Sequence, residues 1–532
     1  MSKKTVLVAD KISTAGVDWL KAQPGIEVVT AVGAPASELP ALVADASAIL
    51  VRSETKVTRA LIEAAPNLVA VGRAGVGVDN IDVEAATERG VIVMNTPSGN
   101  TIATAELTFT HLLCCARPVP AAAASMRAGK WDRKNFSGTE LRGKTLGILG
   151  LGRIGGEVAK RALAFGMNVV AYDPYLTEAR AKALGIGMAS KETVFTRADY
   201  ITVHMPLTEQ TTDMIDAAAI AKMKDGAHIV NVARGGLVNE AALAAALTSG
   251  KIASAGFDVF TQEPLPADSP LRGIPNLTLT PHLGASTAEA QESVGLEVAQ
   301  AVAQVLSGGP AINAVNMPSI DQRSLQQLRP FLLLAEKLGS LIQQFASGRV
   351  GKLNITFWGN LTEYDTMPLS RAIQRGYLRR ISGRVNDVSA PHLIKRLGVD
   401  VEVTQSNGEA DYRDLIEVAV ECENGARHSL AGTVIGTNHS PRIVNIDGHS
   451  LEFIPEDTLL IAENLDRPGI VGEIGTILGK AGVNIANMTL SRATNVEDRA
   501  LAVYQLSGTP DADALNRIRQ NPALLTVRLL EA

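Results

Sequence analysis

Three side chains of complementary chemistry follow successive β-strand patterns in the middle of the chain: Arg234, Glu263 and His282. Taken singly, a histidine after a proline and an arginine beside two glycines also fit structural roles. Together they supply a base for a hydroxyl proton, a group that orients the base and a cation for a carboxylate or carbonyl oxygen. These are the groups that oxidation of a 2-hydroxy acid requires. Because the carboxyl ends of parallel strands meet at one edge of a sheet, we expect the three residues to lie together.

A glycine-rich run earlier in the chain has the spacing of a dinucleotide fingerprint. The sequence GLGRIG follows the strand pattern TLGIL and opens a helical pattern. Its glycines allow a tight turn and a close approach to a pyrophosphate, while the helix N-terminus supplies N–H donors. Asp173 ends the next strand pattern, 18 residues after the third glycine, where a carboxylate accepts from ribose hydroxyls and repels a 2′-phosphate. The pattern therefore predicts NAD, bound by Gly150, Gly152, Arg153, Ile154, Gly155 and Asp173.

A second run matches a nucleotide-binding pattern letter by letter. Residues Gly138 to Thr145 read GTELRGKT, which fits the G-x-x-x-x-G-K-[ST] loop of nucleotide hydrolases. Such a loop follows a strand and begins a helix, whereas this run leads into the strand pattern TLGIL. We therefore expect Lys144 and Thr145 to enter that strand, and nucleotide hydrolysis is not favoured.

The strand and helix patterns around these motifs form two successive α/β series. Between residues 5 and 97, short β-branched runs alternate with amphipathic helical stretches, and a second such series begins at Lys144. Both series predict doubly wound parallel sheets of the Rossmann type. A helical pattern from Ser286 to Leu306 and a linker rich in Gly and Pro come next. An α+β segment and a final βαββαβ pattern, typical of a ferredoxin-like unit, complete the chain.

Composition argues against several classes of protein. The 532 residues are enough for three to four domains, and 46% hydrophobic with 20% charged residues describe a globular chain. A net charge of -5 argues against nucleic acid as a partner, and no apolar run approaches the length of a membrane span. Cys114, Cys115 and Cys422 have no disulfide or metal spacing, and no HExxH or G-x-S-x-G pattern occurs. We therefore expect a cytoplasmic protein without a metal site.

Four blocks of the sequence resemble the D-isomer-specific 2-hydroxyacid dehydrogenases: GLGRIG, NVARGGLVNE, FDVFTQEP and PHLGAST. The match runs from about Lys4 to Leu306. It implies a discontinuous substrate domain, residues 1–98 with 284–310, around an inserted NAD-binding domain, residues 99–283. It also implies that His282 is the acid/base, that Glu263 orients it and that Arg234 binds the substrate carboxylate. Further NAD contacts implied by the resemblance are Pro206, Thr211, Ala233, Asp258, His282 and Gly284.

Basic residues at strand ends narrow the expected substrate to a phosphorylated acid. Arg52 in VRSET and Arg73 in VGRAGVGVDN offer guanidinium groups for a phosphate, although each taken singly is equally a solvated strand end. The resemblance extends to long-form members of the family, which oxidise 3-phospho-D-glycerate to 3-phosphohydroxypyruvate. The substrate contacts it implies are Arg52, Ser53, Arg73, Ser98, Gly99, Asn100, Arg133, Arg234 and His282, with Arg133 able to reach a neighbouring subunit. The alternatives are an unphosphorylated 2-hydroxy acid as substrate, or a non-catalytic NAD sensor of the corepressor type.

The C-terminal part resembles the regulatory region of the same long-form enzymes. Residues 457–532, with LDRPGIVGEIGTILGKAGVNIANM, resemble an ACT domain, a module that pairs across subunits. The resemblance implies that Asn464, Asp466 and Asn484 bind L-serine and that the chain forms a dimer or tetramer. From the residues alone, Asp466 equally caps the following helix and Asn484 equally shapes a turn. Residues 315–453 resemble the intervening domain, where Arg442 and His449 belong either to an anion site or to a solvated face.

Overall fold

The structure is a computed structural model that describes residues 3–176, 178–183, 185–318, 322–383, 385–406, 408, 410–492 and 499–532. Its N-terminal part is a five-stranded parallel sheet with the order β2-β1-β3-β4-β5. The strands are β1 (Lys4–Val8), β2 (Ile26–Thr30), β3 (Ala46–Val51), β4 (Ala70–Arg73) and β5 (Ile92–Met94), and the helices are α1 (Thr14–Lys21), α2 (Leu39–Val43), α3 (Arg59–Glu63) and α4 (Val83–Glu88). Every residue of the central strand β3 is buried, because an apolar cluster covers each face of the sheet.

The next segment folds into a seven-stranded parallel sheet with the order β12-β11-β10-β9-β6-β7-β8. Its strands are β6 (Thr145–Leu149), β7 (Asn168–Tyr172), β8 (Gly187–Met188), β9 (Tyr200–Val203), β10 (Ala227–Asn231), β11 (Ile252–Phe257) and β12 (Leu277–Leu279). Its helices are α5 (Thr101–Ala116), α6 (Val119–Arg127), α7 (Arg153–Ala164), α8 (Glu178–Ala183), α9 (Lys191–Arg197), α10 (Ala217–Lys222) and α11 (Glu240–Ser249). The chain runs outward from β6 to β8 and then returns to β9 on the other side of β6. The topological switch point, where such sheets bind ligands, therefore lies at the carboxyl ends of β6 and β9.

A long helix returns the chain to the first sheet. Helix α12 (Ala288–Leu306) shares an apolar core with that sheet, in which its Val294 and Val298 pack with Leu50. The first sheet is therefore covered by helices that precede the second sheet in the sequence and by one that follows it. This arrangement is expected when the second domain is inserted into the first. We propose domains of residues 1–98 with 284–310, 99–283, 315–453 and 457–532, each built on one sheet.

A six-stranded mixed sheet follows, with the order β14-β13-β15-β16-β17-β18, in which β13 and β14 are parallel and the other pairs antiparallel. Its strands are β13 (Val350–Gly359), β14 (Asp400–Ser406), β15 (Asp414–Cys422), β16 (Arg427–Ile435), β17 (Ser440–Ile446) and β18 (His449–Phe453). Its helices are α13 (Gln322–Phe345), α14 (Met367–Leu378) and α15 (Ala390–Arg396). Leu334, Leu338 and Leu341 of α13 are buried in the core that this helix forms with the sheet.

The C-terminal part has the βαββαβ order that the sequence predicts. Its elements are β19 (Thr458–Leu465), α16 (Ile470–Lys480), β20 (Asn484–Arg492), β21 (Arg499–Ser507), α17 (Ala512–Arg519) and β22 (Leu524–Glu531), in an antiparallel sheet of order β20-β21-β19-β22. Helices α16 and α17 share one core with this sheet. Leu459, Ile461 and Val503 belong instead to the core of the preceding domain, so the two domains pack together.

Capping side chains mark the start of many helices. The N-cap side chain accepts a hydrogen bond from a first-turn backbone N–H at Ser13, Thr58, Asp82, Ser190, Asp216, Asn239, Thr287 and Asp511. The strand orders and the element order confirm the predicted α/β series and the final βαββαβ pattern. Among the described helices, none has both the length and the apolar composition to cross a membrane.

Candidate active site

The predicted catalytic residues lie together in a cleft between the first two sheets. The cleft has a volume of about 1030 Å³ and receives the loops that follow β3, β4, β10, β11 and β12. The predicted residues that line it are Arg52, Ser53, Arg73, Asn100, Arg234, Glu263 and His282. The cleft therefore combines a histidine–carboxylate pair with the three predicted arginines, Arg52, Arg73 and Arg234.

A completely buried carboxylate holds the turn that carries His282. His282 has a φ of 55°, in the left-handed region that residues other than glycine rarely adopt. Asp258 accepts from the Leu283 N–H at 2.7 Å and from the Gly284 N–H at 2.9 Å, and its carbonyl accepts from the His282 N–H at 2.9 Å. The Thr280 hydroxyl donates to the same carboxylate at 2.6 Å. These bonds offset a backbone strain of about 1–3 kcal/mol and fix the direction of the imidazole.

His282 and Glu263 form a directed acid–base pair. His282 Nδ1 lies 2.7 Å from Glu263 Oε2, so Nδ1 carries the hydrogen and Nε2 is left to accept a proton. The Phe260 N–H donates to Glu263 Oε1 at 3.0 Å and fixes the carboxylate in turn. Burial acts to raise the pKa of Glu263, but the hydrogen bonds from His282 and Phe260 outweigh it and hold that pKa below its usual range. Glu263 therefore stays charged and stabilises an imidazolium at His282.

Arg234 stands on a turn that Asn231 closes. The buried Asn231 side chain donates to the Arg234 carbonyl at 2.8 Å and accepts from the Ala233 N–H at 3.0 Å. Gly235 must be glycine here, because a Cβ would lie 1.9 Å from the Phe260 carbonyl oxygen. The guanidinium Nη1 donates to the Ala233 carbonyl at 2.7 Å. The run NVARGG thus serves to aim one guanidinium into the cleft.

The opposite wall carries the turn with Arg52. Asp10, just after β1, is 1% exposed and accepts from the N–H groups of Arg52, Glu54 and Thr55 at 2.6–3.2 Å. The backbone donors of this turn are therefore occupied by an internal carboxylate. Arg52 consequently offers a ligand its side chain rather than its backbone.

Arg73 is fixed beside this turn by its Nε. That nitrogen donates to the Arg52 carbonyl at 3.0 Å and to Asn80 Oδ1 at 2.9 Å. Burial, the charge of Arg234 and the charge of Arg52 lower the pKa of Arg73 to about 10. The three arginines repel one another, and an anionic ligand relieves that repulsion.

The dinucleotide fingerprint forms a glycine cradle at the switch point. Gly150 has a φ of 97°, and a Cβ on it would lie 2.4 Å from the His204 carbonyl oxygen. A Cβ on Gly155 would lie 2.1 Å from the Gly150 carbonyl oxygen, whereas open space surrounds the Cβ position of Gly152. Helix α7 begins at the next residue, Arg153, so its N-terminal N–H groups are accessible to a pyrophosphate. The cradle therefore fits NAD.

Asp173 lies beside this cradle. Its Oδ2 accepts from the Leu151 N–H at 2.8 Å and its Oδ1 from the Tyr175 N–H at 2.8 Å. These bonds hold a carboxylate next to the first glycine turn, where the sequence predicts a ribose contact.

The GTELRGKT run, which matches the loop of nucleotide hydrolases, leads directly into β6, which begins at Thr145. It therefore precedes a strand and does not begin a helix, as the sequence predicts.

Two other predicted NAD contacts are used to hold loops. The Thr211 hydroxyl donates to the Pro206 carbonyl at 2.6 Å and accepts from the Thr208 N–H at 2.8 Å, which closes the loop after β9. Asp258 has no exposed surface and acts on the His282 turn. Direct contacts of Thr211 and Asp258 with NAD stay predictions.

Three predicted substrate contacts do not line the cleft: Ser98, Gly99 and Arg133. Ser98 and Arg133 are exposed. Gly99 packs on α12, where a Cβ would lie 2.6 Å from Val294 Cγ1. A role for Arg133 in a neighbouring subunit's site stays a prediction.

The structure adds cleft residues that the motifs did not reveal: Lys56, Asp79, Asn80 and Arg272. Asn80 donates to the carbonyls of Arg52 and Thr55 at 3.1 and 2.7 Å and so joins the Arg52 and Arg73 turns. The sequence does indicate a polar role for Asn80, because Asp79 and Asn80 end the segment GVGVDN, which follows a strand pattern that ends in arginine. Asp10 has the same kind of signal at the end of TVLVAD.

The predicted effector residues lie at opposite ends of the C-terminal sheet, with Asn464 and Asp466 at the end of β19 and Asn484 at the start of β20. Asn464 is 4% exposed and donates to the Leu465 carbonyl at 2.8 Å, and Asn484 is an exposed residue at the start of β20. Asp466 does not cap α16, whose N-cap is Gly469 without a side-chain hydrogen bond. It forms an ion pair with Arg492 at 2.8 Å instead. The capping alternative for Asp466 is therefore wrong.

An anion site at Arg442 and His449 of the intervening domain stays a prediction. Arg442 pairs with Glu452 at 3.3 Å, which compensates its charge. His449 Nδ1 is buried without a partner among the described residues. Across the same described residues, no group of three or more His, Cys, Asp or Glu side chains has a metal-binding arrangement.

Three family models match successive parts of the chain. The model of the D-isomer specific 2-hydroxyacid dehydrogenase NAD binding domain matches residues 109–284. That of the D-3-phosphoglycerate dehydrogenase intervening domain matches residues 327–447, and that of the ACT domain matches residues 458–523.

Relatives extend over nearly the whole chain. The D-3-phosphoglycerate dehydrogenase of Archaeoglobus fulgidus is 43% identical, with 92% of each chain covered, and that of Methanocaldococcus jannaschii is 42% identical, with 99% of each covered. Among solved structures, the TT0316 protein of Thermus thermophilus has a TM-score of 0.54 and 37% identity over 58% of this chain and 99% of its own. A glyoxylate reductase from Paecilomyes thermophila has a TM-score of 0.55 and 32% identity over 59% of this chain and 99% of its own.

Proposed function

The chain belongs to the D-3-phosphoglycerate dehydrogenase family, and we propose that it oxidises 3-phospho-D-glycerate to 3-phosphohydroxypyruvate with NAD, the first step of the phosphorylated route to L-serine. One observation carries this function. The His282–Glu263 pair and Arg234 share a single cleft with Arg52 and Arg73. An unphosphorylated 2-hydroxy acid would leave the last two arginines without an anion.

The two ends of the substrate suit the two walls of the cleft. Its carboxylate binds Arg234 on the wall formed by the NAD-binding domain. Its phosphate binds the side chains of Arg52 and Arg73 on the wall formed by the substrate domain, where guanidinium groups match phosphate oxygens. The C2 hydroxyl then lies toward His282, between the two anionic ends.

In the oxidation, the C2 hydroxyl proton passes to Nε2 of His282 and the C2 hydrogen leaves as hydride with its electron pair. NAD, when bound, accepts that hydride. Glu263 stabilises the imidazolium, and Arg234 polarises the oxygen that becomes the carbonyl. Each turnover thus gives one ketone, one NADH and one proton, which His282 releases.

Initial rates of NADH formation test this function. The full-length protein is assayed with 3-phospho-D-glycerate, D-glycerate and D-lactate under identical conditions. We expect kcat/KM for the phosphorylated acid to exceed that for D-glycerate, and Arg52→Ala to reduce this preference. Equal use of all three acids would support a different 2-hydroxy acid as substrate, and no turnover at all would favour an NAD sensor.

L-Serine is our proposed effector of the C-terminal domain. Asp466 and Asn464 lie close in sequence at the end of β19, and Asp466 offers a carboxylate for an amino group. Feedback requires a coupling free energy between this site and the cleft, typically about 1–3 kcal/mol. Rates measured across a serine titration test it, and a rate independent of serine would remove the regulatory part of the proposal alone.

A homo-oligomer, a dimer or tetramer, is also proposed. Helix α6 has no buried residue, and Val119, Met126 and Trp131 in and after it are 61%, 53% and 78% exposed. Apolar side chains this exposed and this close together suit burial against a second copy. We expect light scattering to give a dimer or tetramer mass, and Trp131→Glu with Met126→Glu to lower it.

A cytoplasmic location is our proposal for the cell. Cys114, Cys115 and Cys422 are all free thiols, which suits a reducing compartment. Fractionation of cells that express a tagged chain should recover it with cytoplasmic markers.

A further inference from the structure

Arg234 has an anionic partner of its own within the cleft. Asp79 lies in the segment after β4 of the substrate domain, whereas Arg234 follows β10 of the NAD-binding domain. Asp79 Oδ2 lies 3.5 Å from Arg234 Nε, so the ion pair bridges the two domains. Arg234, the predicted partner of the substrate carboxylate, is therefore already paired with a carboxylate of this chain.

Gly77 allows this pair to form. A Cβ on Gly77 would lie 2.1 Å from Arg234 Nη2 and 2.5 Å from Asp79 Oδ2. The Arg234 guanidinium and the Asp79 carboxylate thus occupy the space that a side chain at position 77 would need. Any larger residue at Gly77 would force them apart.

The surroundings of Asp79 suit exchange with a ligand. Its side chain is 72% exposed, and Arg234 is its partner among the described residues. Asp10, another carboxylate near the arginines, is buried and accepts from the Arg52 turn, so it has no such freedom. Exposed ion pairs contribute little to stability, whereas a carboxylate held in bidentate fashion by arginine binds more strongly.

Charge balance points the same way. Arg52, Arg73 and Arg234 are like charges in one cleft: after burial, the charges of Arg234 and Arg52 further lower the pKa of Arg73, whereas Asp79 acts to raise it. A carboxylate at this position partly neutralises the arginine cluster. It then becomes a source of repulsion when a ligand carboxylate arrives beside Arg234.

We propose that Asp79 is an internal competitor of the substrate carboxylate for Arg234 and thereby sets how tightly substrate and product are held. The inference rests on the proposed function only in that Arg234 binds a carboxylate. Asp79 acts through Arg234 and is therefore a positioning residue, which takes no part in proton or hydride transfer.

The test is the substitution Asp79→Asn, which removes the charge and keeps the size. We expect the KM for 3-phospho-D-glycerate to fall about two- to fivefold, the range that an exposed ion pair supports. We expect kcat not to rise, because the product carries the same carboxylate and leaves more slowly. The effect shrinks at high ionic strength, since the pair is exposed.

Glu54→Gln is the matched control. Glu54 is an exposed carboxylate on the same wall, in the Arg52 turn, and its loss changes the net charge equally without contact to Arg234. A fall in KM with Asp79→Asn that Glu54→Gln does not reproduce supports the proposal. An unchanged or higher KM, or an equal fall in both variants, overturns it.

A binding measurement separates this inference from the proposed function. Oxalate offers a carboxylate for Arg234 without a phosphate for Arg52 and Arg73. We expect calorimetry to give a two- to fivefold lower Kd for oxalate with full-length Asp79→Asn than with the unsubstituted protein or Glu54→Gln. This result would hold even if 3-phospho-D-glycerate were not oxidised, whereas an unchanged oxalate Kd overturns the role of Asp79 even if it is.

Discussion

The catalytic cleft differs from the proposed effector site of the C-terminal domain in how its polar side chains are held. We call the part of that site formed by Asn464 and Asp466, at the end of β19, the effector edge. In the cleft, a buried side chain fixes each functional turn: Asp10 for Arg52, Asn231 for Arg234 and Asp258 for His282. At the effector edge, Asn464 bonds the carbonyl of the next residue and Asp466 pairs with an exposed arginine.

This difference indicates what each site requires. Catalysis depends on groups held in place before the substrate arrives, because their reorganisation would add to the barrier. The cleft meets this requirement with side chains of one chain. At the proposed effector site, the ion pair of Asp466 is with an exposed arginine, so the Asp466 carboxylate is less firmly held than the buried carboxylates of the cleft.

The largest effect is expected from removal of the proton acceptor in the cleft. In His282→Ala we expect kcat to fall about 10²–10⁴-fold, the usual contribution of a positioned acid/base. NADH binding, followed by fluorescence, should persist. His439→Asn is the control, since this histidine is at an exposed turn with a φ of 51°, which asparagine tolerates. Turnover retained in His282→Ala would show that His282 is not the acid/base of the reaction.

Asp258→Asn tests whether the buried carboxylate orients His282. The amide offers its NH₂ group where the carboxylate accepts bonds from Thr280, Leu283 or Gly284. We expect kcat to fall about 10- to 100-fold because the imidazole is misdirected, with a smaller change in KM. A variant that changed KM alone would show that Asp258 serves ligand binding rather than the His282 turn.

Asp10→Asn probes the opposite wall and should give the opposite kinetic pattern. The Arg52 turn loses part of its support, so we expect the KM for 3-phospho-D-glycerate to rise about tenfold, as loss of a charge-assisted hydrogen bond allows. The KM for D-glycerate, which has no phosphate, should change less. An equal rise for both acids would mean that Asp10 supports the fold and not the phosphate site.

Much of this cleft was visible in the sequence. Each of Arg234, Glu263 and His282 follows a strand pattern, and the rule that parallel strands end at one edge predicts that they meet. The glycine fingerprint was equally clear, because its strand, turn and helix are local.

The supporting residues were harder to predict because their partners are distant in sequence. Asp10 binds a turn 42 to 45 residues away, and Asp79 meets Arg234 from another domain. A strand-end aspartate indicates a polar role but does not identify the turn that it serves. Arg133 presents a different problem, since a contact with a neighbouring subunit needs a second chain.

At the proposed effector site, the expected effect is about as large as that of Asp10→Asn and smaller than those of His282→Ala and Asp258→Asn. In Asp466→Asn we expect the serine concentration for half-inhibition to rise about tenfold, because the ligand's amino group loses its counter-charge. Glu463→Gln is the matched control, since its carboxylate pairs with Arg499 at 3.0 Å on the neighbouring strand. Each variant is referred to its own rate without serine. Equal shifts in both variants would mean a general charge effect and no specific site at Asp466.

The smallest effect is a pH dependence that differs in sign between two glutamates. Hydrogen bonds lower the pKa of Glu263 despite its burial, so its contribution to stability is present above the ordinary value of 4.5 and is lost as the pH falls through the folded value. Burial raises the pKa of Glu297, so its ionisation costs stability as the pH rises above 4.5. In thermal unfolding from pH 3 to 7, the Tm of Glu263→Gln should therefore fall relative to the unsubstituted protein as the pH rises to about 4.5, and that of Glu297→Gln should rise above that pH. Parallel slopes would show that the Glu263–His282 pair does not hold the carboxylate in its charged form.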